Sequence, residues 1–84
     1  MSPNDALALA VMAGMEAKAK KNDTRKSNDH PAVNIAMMAY WDGVGNMASN
    51  LVDVFDGKAT PKAALDSIRE YAKELRDVLQ GVAE

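Results

Sequence analysis

The residues of this chain that could carry chemistry are few and scattered. His30 is the only histidine, and no second imidazole stands at helical spacing from it, so it lacks the company of a metal ligand or a general base. The absence of cysteine removes thiolate metal sites, thiol nucleophiles and disulfides together. Acids occur, but no pair sits in an apolar setting that would drive two pKa values apart for acid–base work. Asp56-Gly57 is not followed by the succession of oxygen ligands a calcium loop needs, and belongs to a turn. Gly43-Val44-Gly45 has no strand before it and no Gly-Lys-Ser/Thr after it, so it is not a phosphate loop. The expectation is a chain with no catalytic residues, no metal and no cofactor, and therefore not an enzyme.

What chemistry remains is aromatic. Trp41 is the only tryptophan, Tyr40 precedes it and Asp42 follows. Such a group can stack on a ligand and accept hydrogen bonds from it, although a Trp on an apolar helix face is more simply core. Gly43 and Gly45 follow within one turn, each costing a helix interior about 1 kcal/mol relative to Ala. Glycine there permits close approach by another helix or by a bound molecule; helix packing is the simpler reading. The six methionines suit an adaptable binding surface, with core filling the simpler use.

The elements that must position these residues read as helices throughout. Met37, Trp41, Val44, Ala48, Leu51, Val52 and Phe55 recur at three- and four-residue steps, which lines one side of an α-helix. Asn34 can cap its start, and Gly57 suits the left-handed residue after its end. Thr60 then caps a new helix with Pro61 at its first position, where a missing N–H costs nothing. Leu65, Ile68, Ala72, Leu75, Val78 or Leu79, and Val82 make its stripe, and Gly81 marks its end. Lys62–Asp66 and Lys73–Asp77 fall at i,i+4 on its solvated side.

At the other end, Ser2-Pro3-Asn4-Asp5 reads as a cap, a first-position Pro and a weak capping box. Ala6 to Met15 then runs ten residues without a polar side chain, too short to span a bilayer and without a basic stretch before it like that of a secretory signal. A helix apolar almost all round needs neighbours on more than one side. Asn22 is a plausible end for it. The polar stretch from Lys18 to Asp29 reads as a cationic helix end entering a solvated loop, since no aromatic interleaves its charges as nucleic-acid binding would need. His30-Pro31 disfavours helix at His30, which places the loop at about 22–33; a helix starting at Pro31 is the alternative.

The 84 residues thus predict one all-α unit, three helices at about 3–21, 34–56 and 61–80 in a small bundle. No β-branched alternating run suggests a strand. A net charge of −2 and a pI near 5.3 give no field attractive to nucleic acid or acidic lipid.

Met38-Ala39-Tyr40-Trp41, then Asp56-Gly57-Lys58-Ala59-Thr60-Pro61 and Ala63-Ala64-Leu65-Asp66, resembles the C-terminal end of ABC-transporter solute-binding proteins of the maltose-binding type. In that family a helix with an aromatic–Trp pair precedes a G-[KR]-x-[ST]-x-x-x-A-L turn and a closing amphipathic helix. The resemblance covers about 34–80 and implies that the chain is the helical portion of a larger two-lobed α/β sugar receptor. It implies that Trp41 faces the ligand cleft as a stacking platform, with Tyr40 packed inward. Where the maltose-type pattern has a second stacking aromatic, Asp42 stands here, which points away from maltodextrin and towards another carbohydrate. The paired glycines also depart from the pattern.

Two functions follow. In one, the chain is a fragment or subunit of a carbohydrate receptor, periplasmic or extracellular, binding sugar only with the remainder present. In the other, it is a stand-alone cytoplasmic three-helix interaction module, self-associating or binding a partner helix. Both expect a homo-oligomer or a partner chain over the apolar first helix, and neither involves nucleic acid or a membrane span.

Overall fold

The computed structural model describes residues 2–83, with side chains as far as Gly81. It contains three helices, α1 (Pro3–Arg25), α2 (Pro31–Phe55) and α3 (Pro61–Ala83), and no strand among the described residues. The chain is a small all-α unit, as its periodicity predicts.

Local chemistry sets the ends. Ser2 Oγ accepts from the Asp5 N–H at 3.2 Å while the Asp5 carboxylate reaches back to the Ser2 N–H at 3.5 Å, a reciprocal capping box. Gly57 has φ +74°, the left-handed conformation that ends α2. Thr60 Oγ1 accepts from the Ala63 N–H at 3.1 Å and Pro61 opens α3.

Three expected boundaries move. Asn22 does not end α1, which continues to Arg25 with Lys26 as its cap. The added turn is held by Thr24 Oγ1, which donates to the Lys20 carbonyl at 2.9 Å. Asn34 does not begin α2, because His30 caps it: His30 Nδ1 accepts from the Ala32 N–H at 3.1 Å. The bias that a proline imposes on its predecessor is satisfied by an extended N-cap (His30 ψ 138°), so no longer loop is needed. Asn34 instead sits in the first turns of α2 and ties the loop down, its Nδ2 donating to the Ser27 and Asp29 carbonyls at 3.3 and 3.5 Å. Gly81 does not end α3, which runs through it to Ala83. The Val82 side chain lies outside the described residues.

The packing is asymmetric. α1 lies antiparallel on α2 through small residues, Ala10, Gly14 and Ala17 opposing Gly45 and Ala48. A Cβ on Gly14 would sit 3.6 Å from that of Ala48, and one on Gly45 would sit 3.7 Å from that of Ala17. α3 returns along another side of α2, with Ile68 and Leu65 beside Val54 and Leu51, and Leu79 beside Ile35 and Ala39. Among the described residues the backbones of α1 and α3 do not come together; both pack on α2 alone.

The core is correspondingly thin. Among the described residues the buried apolar ones are Ala10, Ala17, Ala48 and Ala64, and no large side chain is fully enclosed. Met12, Met15, Met37 and Met47 do not fill a core: all four are exposed, while Met38 is half-buried. The Cα radius of gyration of 14.4 Å exceeds the roughly 12 Å of a compact chain of this length.

Candidate functional site

Because α1 and α3 flank α2 without meeting, one side of α2 is left open as a trough. Tyr40, Val44, Met47, Leu51 and Phe55 follow one another along it at three- and four-residue steps, and α1 contributes Leu9 and three alanines. The trough is about 840 Å³, and none of its lining side chains is charged. Met47 and Leu51 also border the groove between α2 and α3, and Ala39 borders it near Leu79, so the apolar surface continues across the molecule. On another side of α2 the spacing brings together Asp42, Asn46, Ser49 and Asp53.

The two glycines after Trp41 divide between two roles. Gly45 meets Ala17 across the α1–α2 contact, so close helix packing accounts for it. Gly43 lies on the floor of the trough, where an added Cβ would meet nothing within 4 Å. Its cost to the helix, about 1 kcal/mol, has no return within the chain.

The three residues picked out as ligand-binding separate by helical geometry. Tyr40 projects into the trough and is 58% exposed. Trp41 is half-buried, one turn before Gly45 on the side of α2 that faces α1. The two rings meet edge to face with centroids 4.9 Å apart. Asp42 is held by Lys21 of α1 at 2.6 Å, an ion pair that ties the end of α1 to α2. Both groups remain about one-third exposed, so the pair contributes at most ~1 kcal/mol. The Tyr71 phenol is held above its ordinary pKa, first by burial and then by the negative charge of Asp42, and its hydroxyl has no hydrogen-bond partner.

His30 serves the backbone as a cap, and among the described residues no three acids, histidines or cysteines cluster as metal ligands would. No helix among them is long and apolar enough to cross a membrane. The sequence stripe identified Val44, Leu51 and Phe55 as one side of a helix; the trough they form depends on where α1 and α3 sit. The signal available was α1 itself, whose apolar residues outnumber those one neighbour can cover. Comparison with protein-family models, with curated proteins and with solved structures found no match to this chain.

Proposed function

We propose that this chain is a helical association module, which completes its hydrophobic core against another polypeptide. The observation that supports this is the imbalance between core and surface: among the described residues the buried apolar ones are alanines, while fourteen large hydrophobic side chains are exposed. Isolated exposed apolar residues are ordinary, but a continuous uncharged trough marks an interaction surface. The test is a thermal melt by circular dichroism with the solution mass measured by light scattering. A monomer with a sharp, concentration-independent melt would sink the reading. Association, or a poorly cooperative isolated chain, is the expected result.

A second reading keeps the chain as part of a carbohydrate receptor, with the rest of that receptor covering the same apolar surface. It draws on the aromatic pair, since an exposed Tyr40 braced edge-on by Trp41 offers a ring for a sugar face. Asp42 reaches a sugar hydroxyl only by sharing its carboxylate with Lys21. Trp41→Ala in an assembly that binds sugar tests it. Unchanged affinity would remove Trp41 from the site.

A further inference from the structure

We infer that the trough over α2 is the interface of a homodimer, occupied by the same face of a second copy of this chain. The inference rests on the association reading and names its partner.

Area argues first. The chain exposes 6168 Å², whereas a compact monomer of 9.0 kDa exposes about 4,900 Å². The excess, about 1,300 Å², exceeds the roughly 800 Å² per partner of a standard interface and falls in the range of obligate homodimers. The excess is spread over the whole surface, and one interface of homodimer size is of the same magnitude.

Chemistry and shape argue next. The lining carries no charge, so nothing in the trough selects a basic or an acidic partner. Uncharged, strongly apolar surfaces are the rule in obligate homodimers. A two-fold interface must also complement itself, each patch meeting the same patch on its partner. This face has both halves of such a fit. Met47, Leu51 and Phe55 form an exposed ridge, and the smaller, half-buried Ala13 and Gly43 line the same trough as its floor. A two-fold axis across the trough sets the ridge of each copy on the floor of the other. That arrangement gives Gly43, unused inside the chain, a close neighbour. At −2 per chain, net repulsion between copies is small.

Cysteine cross-linking tests the face without disrupting it, because the chain has no cysteine of its own. Met47→Cys places a thiol in the trough, Ser49→Cys on another side of α2, and Met15→Cys on α1 away from the trough. Wild-type mass is measured by sedimentation over a concentration series, and each variant is treated with a short bis-maleimide. The expected result is twice 9.0 kDa, with covalent dimer from Met47→Cys far exceeding that from the other two. Gly43→Leu adds bulk where the monomer has open space, and is expected to weaken association by roughly tenfold or more while keeping the helical spectrum.

A dimer that cross-links through Ser49→Cys or Met15→Cys and not Met47→Cys overturns the assignment of the face. A wild-type monomer with a poorly cooperative melt overturns self-pairing and leaves the association module standing. A cooperative monomer overturns both.

Discussion

Ala48→Leu tests the close packing of α1 on α2. Ala48 is 4% exposed and faces Gly14, where even a hypothetical Cβ would come within 3.6 Å of the Ala48 methyl. Leucine adds three carbons at that point, and the backbone of α1 stands in their way. Overpacking of this kind costs about 1–3 kcal/mol, because α1 must move off α2 or the side chain must leave its rotamer. A chain of this length has an unfolding entropy of about 0.18 kcal/mol/K, so the melting midpoint should fall by about 6–17 °C.

Gly14→Ala probes the same contact with the opposite sign. A methyl at 3.6 Å is ordinary van der Waals contact, and replacing a helical glycine contributes about 0.5–1 kcal/mol, a rise of about 3–6 °C. Both variants are melted with wild type at one chain concentration, since association itself shifts the midpoint. If Ala48→Leu melts within about 2 °C of wild type with an unchanged spectrum, α1 is not held close to α2 and the packing argument fails. A fall for Gly14→Ala would mean that the helices approach more closely still.

Gly57→Ala forces a Cβ into a left-handed residue, φ +74°, and should destabilise the chain by about 1–2 kcal/mol. Gly57→Asn should recover much of the loss, and equal midpoints for all three would show that the turn does not need that conformation. Tyr71→Phe concerns alkaline pH. Because the folded state holds the phenol above its ordinary pKa, the unfolded chain releases that proton first. The stability held below about pH 10 is therefore lost as pH rises through the folded pKa. Since the hydroxyl has no partner, Tyr71→Phe should be nearly neutral at pH 7 and should flatten the decline measured in melts above about pH 10. An unflattened decline would assign it to other groups.

Helix type and the sharper punctuation could be read from the residues, because their causes are local. Ser2 with Asp5, Gly57, and Thr60 with Pro61 each do in the structure what their chemistry dictates within a few residues. The boundaries that moved are those where two local rules compete. Pro31 both bars helix from the residue before it and opens one itself, and a histidine acceptor at position 30 decides the matter for the helix. Asn34 was drawn to the cap by its residue type, yet its amide found carbonyls in the adjoining loop instead. At the end of α1 the deciding bonds are Thr24 to a carbonyl one turn back and Lys21 to Asp42, and only the first is local.

The trough was beyond such reasoning for a different reason. A stripe of Val44, Leu51 and Phe55 shows that a helix has an apolar side, but not whether the chain itself covers it. That depends on the angle between α1 and α3 around α2, and the angle is set by alanine and glycine, which carry almost no hydrophobic signal. Small residues at 10, 14 and 17 bring α1 against Gly45 and Ala48, and so seat it over one edge of the stripe, leaving Leu51 and Phe55 on the other edge exposed. Large side chains at those positions would have raised α1 away from α2 and enclosed more of its own surface. With α1 seated there, Leu9, Tyr40 and Met47 remain in solvent. The pair of glycines records both halves of this. Gly45 is consumed by the contact that positions α1, while Gly43, two residues away, lines the trough, where an added Cβ would meet nothing within 4 Å among the described residues.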